Sequence, residues 1–179
     1  MSELAAAGVG LQADDFALFG VARKFAQDLN GLEARWKALQ REAHPDKFAA
    51  QGSAAQRLAM QWSVRINEAW QRLKDPVRRA AYLCELAGAP LQAESNTAMP
   101  AQFLMQQMEW REALEDAVSA EALDRLQAEV QASRQIQLQQ CALALDADGD
   151  LARAVQLVRG LMFVNKFLQD LERRRDQYD

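Results

Sequence analysis

Cysteine occurs only twice, histidine once and proline four times among 179 residues, with eight glycines, and each scarcity excludes something. Cys84 and Cys141 lie far apart on stretches of helical composition. They are too few for a disulfide framework or a zinc site, so a reducing cytoplasm is the expected compartment and no metal or other cofactor is expected. With few helix breakers, and with Val, Ile and Thr merely scattered among abundant Ala, Leu, Gln, Glu and Arg, the chain is predicted to be all-α, without sheet. No apolar run approaches the roughly 18 to 20 residues of a membrane span. The opening Met1-Ser-Glu-Leu-Ala-Ala-Ala lacks the basic start of a secretory signal and the arginines of a transit peptide. A Gly-rich phosphate-binding loop is missing as well, so the chain is not expected to hydrolyse a nucleotide itself.

Half of the residues, 50%, are hydrophobic, enough to bury a core in one domain or in two small ones. The net charge of −4 conceals an asymmetry, because residues 16–88 carry twelve Lys or Arg against seven Asp or Glu, and residues 89–179 carry nine against fifteen. A basic half joined to an acidic half points to two surfaces with different partners.

In the first half, Asp28 is placed to cap a helix whose apolar stripe is Leu29, Leu32, Trp36, Leu39 and Ala43. Ser53 is placed to cap the next, with the stripe Ala55, Leu58, Trp62, Ile66, Ala69 and Leu73. The two stripes are predicted to face each other as an antiparallel pair. Asp75-Pro76 and Gly88 bracket a short helix that Tyr82 and Leu86 would pack down. Residues 89–99, with Pro90, Ser95, Asn96 and Thr97, have turn composition and lie where the charge balance reverses, so they read as a linker between domains at 15–88 and 100–179. Three periodic segments follow, from about Pro100 to Val118, Ser119 to Leu145 and Asp150 to Gln177, and their short connections predict a three-helix bundle. The string Asp146-Ala-Asp-Gly-Asp150 resembles a calcium loop superficially, but aliphatic residues stand where the closing glutamate belongs, and it reads as a helix break.

Between the first helix pair stands His44-Pro45-Asp46, within Arg41-Glu-Ala-His-Pro-Asp-Lys-Phe48. Pro45 disfavours helical geometry at His44 and has no N–H to donate. The preceding helix is therefore predicted to stop near Ala43, with the three residues in an exposed loop that runs to about Gly52. His beside Asp invites an acid–base reading. Adjacent residues around a proline rarely aim a carboxylate at the neighbouring imidazole, however, and no second histidine exists to build a site. On the helix before the loop, Lys37 and Arg41 share a face away from the apolar stripe, and Arg35 and Lys47 add positive charge.

The helix from Phe103 is apolar on two sides. Phe103, Trp110, Leu114, Ala117 and Val118 cluster on one of them, whereas Leu104, Met105 and Met108 point away beside Glu109 and Glu112, whose carboxylates argue for a wet surface. In the last helix Leu151, Val155, Val158 and Met162 form one stripe, and Phe163 and Phe167 are expected to project elsewhere.

The His44-Pro45-Asp46 stretch resembles the signature loop of a J-domain. Asp15-Phe-Ala-Leu-Phe-Gly20 is similar to the opening of that module, Ile66-Asn-Glu-Ala-Trp-Gln-Arg-Leu-Lys-Asp-Pro76 to the end of its third helix, and Arg78-Arg-Ala-Ala-Tyr-Leu83 to the start of its fourth. Phe103-Leu-Met-Gln-Gln-Met-Glu-Trp-Arg-Glu-Ala-Leu114 is similar to a helix carried only by the HscB branch. On these motifs, which span roughly residues 15 to 178, the chain is identified as a member of the HscB family of J-domain co-chaperones of iron–sulphur cluster assembly.

The resemblance implies an L-shaped molecule built from a J-domain and a three-helix bundle. It implies that His44, Pro45, Asp46 and Lys47, with Arg35, Lys37 and Arg41, bind an HscA/DnaK-type chaperone and stimulate its ATPase, so that the chain is not itself an enzyme. Asp46 would pair with a chaperone arginine through a charge-assisted hydrogen bond. The resemblance further implies that Leu104, Met105, Met108 and Phe163, with Glu109 and Glu112, bind an IscU-type scaffold protein. Methionines suit such an adaptable surface. Trp110, where a smaller aliphatic is usual, and Met108, where leucine is usual, would give that patch a different shape. No cysteine lies in the first fifteen residues, so a zinc-bearing head is not expected.

Nucleic-acid binding through the basic half and Arg173-Arg-Arg175 is disfavoured by the acidic total charge and by the few aromatics on the basic face. A general protein-folding J-protein is disfavoured by the lack of a Gly/Phe-rich linker and of a cysteine-rich module. Neither membrane binding nor self-association is predicted.

Overall fold

In the computed structural model, which describes residues 10–89, 91 and 99–178, helices begin where an acidic or hydroxyl side chain can take up an orphan N–H. Asp14 accepts from the Ala17 N–H at the start of α1 (Asp15–Phe19), and Asp28 from Asn30 at α2 (Leu29–Glu42). Asp75 accepts from Arg78 at α4 (Pro76–Leu86), Ser119 from Ala122 at α6 (Ala120–Leu143) and Asp150 from Arg153 at α7 (Leu151–Arg175). Helices α3 (Ser53–Lys74) and α5 (Ala101–Asp116) start without such a bond. Ser53 is therefore the first helical residue and not the expected cap. Gly52 takes the cap position at φ 94°, a conformation that glycine alone adopts without strain. No strand occurs among the described residues, in keeping with the all-α reading.

The chain divides into two compact units, Met1–Tyr82 and Leu83–Asp179. The division falls within α4, ahead of the expected linker, of which residues 90 and 92–98 lie outside the described residues.

In the first unit α2 and α3 run antiparallel. Trp36 Nε1 donates to Asn67 Oδ1 at 2.9 Å, and Gln40 Nε2 donates to the Ser63 carbonyl at 3.0 Å, so that later residues of one helix meet earlier residues of the other. Leu32, Leu39 and Ala43 bury against a stripe of Ala59, Trp62, Ile66, Ala69 and Leu73. The stripe alternates three- and four-residue steps from Ala59. Leu58 falls off it and is exposed, contrary to the sequence expectation, and so is Leu29 at the first turn of α2.

Helix α1 is pinned to α3 by charge. The Asp15 side chain is fully buried, and its two oxygens lie 2.7 Å from Arg65 Nη2 and 3.0 Å from Arg72 Nη1. Arg65 also donates to the carbonyls of Leu11 and Ala13, while the Tyr82 hydroxyl accepts the Asp15 N–H at 3.1 Å. The Arg72 guanidinium lies 4.5 Å from the centre of the Tyr82 ring, which stacks on Phe16.

In the second unit α6 and α7 run antiparallel, with Asp124 bonded to Arg175 and Arg134 bonded to Asn165 at 2.7 Å. Trp110, Leu123, Leu126, Val130, Val164, Phe167 and Leu171 form the core. The buried stripe of α7 is Ala154, Val158, Leu161, Val164, Phe167 and Leu171, which corrects two expectations. Met162 is half exposed, and Phe167 is a core residue, because the stripe steps from Val158 to Leu161 and not to Met162. Val118 is likewise 83% exposed, just past the end of α5. The Asp146–Asp150 string forms the end of a π-helical turn, Ala144–Asp148, closed by Gly149 at φ 65°, and so breaks the helix as expected.

Two measurements check this packing. Removing one of its two cations leaves the buried Asp15 carboxylate under-compensated, so Arg65→Ala should lower unfolding free energy by about 3 kcal/mol. Arg23→Ala, which removes the partner of Asp14 at the surface, should cost less than about 1 kcal/mol. Equal costs in urea melts would refute the central role of Asp15. Burial raises both thiols, that of Cys141 to about 12 with a further push from Cys84, which disfavours the reactive thiolates. Labelling by a thiol reagent should then proceed only as fast as unfolding, and rapid labelling of the native protein would contradict the burial.

Candidate functional sites

Helix α2 ends at Glu42 with Ala43 as its cap, and the next residue opens the His44-Pro45-Asp46 segment, as Pro45 dictates. The segment is more ordered than the loop expected there. Pro45–Gln51 forms a 3-10 helix with proline at its first position and His44 at its cap, and the Lys47 N–H bonds the His44 carbonyl at 3.1 Å. His44 Nδ1 accepts the Asp46 N–H at 3.3 Å. The Asp46 carboxylate is 3.6 Å from Nδ1 and 89% exposed. That geometry is no catalytic dyad, because the nitrogen a carboxylate would orient is already occupied by a backbone amide. It is a display of an imidazole and a carboxylate on a short rigid turn.

Behind the display, the last carbonyl of α2 would be an orphan. Ser63 Oγ of α3 donates to this Ala43 carbonyl at 3.1 Å, and Gln40 returns a bond to the Ser63 carbonyl. Sequence reading missed both residues, because a serine and a glutamine inside helices carry no motif.

Lys37 and Arg41 are exposed one turn apart on α2. Arg41 Nε donates to the Lys37 carbonyl at 3.3 Å, and Lys37 pairs with Glu33 at 2.6 Å. Exposed Lys47 follows in the 3-10 turn. Arg35 does not join this row. It is half-buried, and two residues of helix set it about 160° around α2 from Lys37.

In the second unit, Leu104, Met105 and Met108 are 43%, 62% and 63% exposed on α5, with Glu109 and Glu112 also exposed. They form one ridge, since Met108 lies one turn on from both of the others, four residues after Leu104 and three after Met105. Phe163 is different. It is half-buried against the core, edge-on to Phe103 at 6.0 Å and stacked on Phe167 at 6.3 Å, with the Arg111 guanidinium 5.5 Å from its ring. Only part of its surface is available, whereas the sequence placed it outside the bundle interior. Trp110 is 2% exposed and donates from Nε1 to Glu129 at 2.9 Å, so its bulk shapes the core and not the ridge.

Residues 99–172 match the family described as the HscB C-terminal oligomerisation domain. The chain is 45% identical over 166 residues to a co-chaperone protein HscB homologue of Burkholderia multivorans, covering 91% of this chain and 94% of that one. To the homologue of Bordetella pertussis it is 48% identical over 163 residues, covering 90% and 96%. Among solved structures, chaperone HscB from Vibrio cholerae superposes with a TM-score of 0.81 at 34% identity, covering 93% of this chain and all of that one. Human co-chaperone protein HscB gives 0.86 at 25% identity, over 90% and 81%. Relatives of this similarity, matched over nearly their whole length and in both sequence and fold, place the chain in the HscB family of co-chaperones.

Proposed function

We propose that this chain binds an IscU-type iron–sulphur scaffold through the α5 ridge, delivers it to an HscA/DnaK-type chaperone in the cytoplasm, and stimulates that chaperone's ATPase through the His44-Pro45-Asp46 turn, assisting the maturation of iron–sulphur proteins. The observation that carries the reading is the turn itself. An imidazole and a carboxylate stand exposed on ordered backbone, next to the exposed cations Lys37, Arg41 and Lys47, and among the described residues the bonds they make lie within the turn or within α2 and do not bury them. The side chains act as contacts, and the chemistry of hydrolysis remains the chaperone's own. A ligand shifts another protein's conformational populations only through differential affinity for its states. The Asp46 carboxylate can supply this by meeting an arginine that is accessible in one state.

His44→Gln and Asp46→Asn should leave circular dichroism and melting unchanged and abolish ATPase stimulation. Charge reversal at Lys37 and Arg41 should weaken docking, and added salt should reproduce the effect, since exposed charges are screened beyond about 8 to 10 Å. Normal stimulation by either turn variant would overturn the chaperone reading, and salt-independent docking would replace the basic row by an apolar contact.

The scaffold reading rests on a different contrast. Replacing Leu104, Met105 and Met108 together by alanine should raise the dissociation constant for the scaffold at least a hundredfold, as anchors of this size contribute about 1 kcal/mol or more each. The melting temperature should hold, because all three are exposed. Phe163→Ala should lower both affinity and stability, owing to its contacts with Phe103 and Phe167. A triple variant that melts early yet still binds scaffold would show the ridge to be packing.

A further inference from the structure

The bond from Ser63 to the Ala43 carbonyl does something that packing does not require. A helical serine ordinarily turns its hydroxyl back to the carbonyl one turn earlier on its own helix. Here Oγ instead crosses to another helix, 20 residues away in sequence, and takes the carbonyl that immediately precedes His44. The peptide group is planar, so fixing the Ala43 oxygen fixes the plane that also contains the His44 N–H and Cα. From that plane φ, at −63°, sets the direction of the His44 Cα–Cβ bond. Gln40 closes the clamp from the other side by donating to the Ser63 carbonyl at 3.0 Å.

We propose that Ser63 is a positioning residue for the His44-Pro45-Asp46 turn, holding it in the presenting conformation before any chaperone arrives. This rests on the chaperone reading above. The clamp sets the fraction of molecules whose turn is competent to bind, and apparent affinity scales with that fraction.

The test uses the full chain with Ser63→Ala and Ser63→Thr, the second of which keeps the hydroxyl. Amide exchange at Asp46 and Lys47 reports the turn without reference to any partner, because these N–H groups bond His44 Nδ1 and the His44 carbonyl. In Ser63→Ala their exchange should accelerate roughly fivefold, the worth of one modest hydrogen bond. The chaperone concentration needed for half-maximal ATPase stimulation should rise in inverse proportion to the competent fraction that remains, with the maximum unchanged, and Ser63→Thr should restore both. An Ile66→Val variant, matched for its loss of melting temperature, should show neither effect. Unchanged exchange and unchanged half-maximal concentration in Ser63→Ala overturn the proposal, as does an equal shift in Ile66→Val, which would make Ser63 merely structural. His44→Gln serves as the separate control. If it stimulates normally, the chaperone reading fails on its own, while the exchange data still decide whether Ser63 orders the turn.

Discussion

A carboxylate with no exposure to water has to be answered by charge, and in the first unit everything else follows from how Asp15 is answered. Arg65 and Arg72 are seven residues apart, two turns along one face of α3, so a single aspartate that meets both can occupy only one position along that helix. The same cluster fixes the chain before α1 through the Leu11 and Ala13 carbonyls, and fixes Tyr82 through its hydroxyl and its ring. An apolar replacement of such a triad is frequently more stable, because desolvating ions is costly. What the ions add is register, since grease permits a helix to slide by a turn and a buried carboxylate does not. The register of α3 in turn sets Ser63 and Asn67 against α2.

The second unit reaches its register by size and polarity together. A Cβ at Gly160 would meet Gln137 Oε1 at 3.0 Å and the Phe103 ring at 3.3 Å, so glycine is what lets α5 and α6 approach α7 there. Arg134 and Asn165 add a polar crosslink between α6 and α7. With Phe103, Trp110 and Leu114 committed to the core, α5 has one apolar side satisfied and a second, the Leu104, Met105 and Met108 ridge, left in water. A contiguous exposed apolar ridge flanked by carboxylates is not explained by folding, and it is the kind of surface on which a protein partner is bound.

Periodicity and capping made the helices legible, because their signals are local. Asp28 and Asp75 cap as read, and the break at Pro45 falls where proline chemistry puts it. The exposed ridge on α5 was legible too, since carboxylates one turn away cannot be buried without partners. What failed was fine rotation. Leu58, Met162 and Phe167 were assigned to the wrong sides, because a wheel at 100° per residue cannot choose between adjacent apolar positions when both would bury. Phe163 was half misread for the same reason. The Asp15 cluster and the Ser63 clamp were invisible for a different one. Each joins residues from 20 to 67 positions apart, and no spacing within one helix encodes a partner on another.

Rigidity connects these parts to the work of a co-chaperone. A flexible loop bearing His and Asp would have to be ordered on binding, and freezing even a few residues costs about 1 to 2 kcal/mol each. In this chain that ordering accompanies folding itself. Pro45 restricts the backbone, the 3-10 turn closes on the His44 carbonyl, and Ser63 holds the plane before it. Lys37 and Arg41 on α2 sit instead at the ends of long exposed side chains, bonded within their own helix to Glu33 and to the Lys37 carbonyl, and from there their charge acts at a distance. Long-range attraction needs no order, whereas a contact that must distinguish two states of a partner needs a defined position. The ordered turn and the exposed basic row suit these two physical tasks, and they are built into neighbouring residues of one helix end.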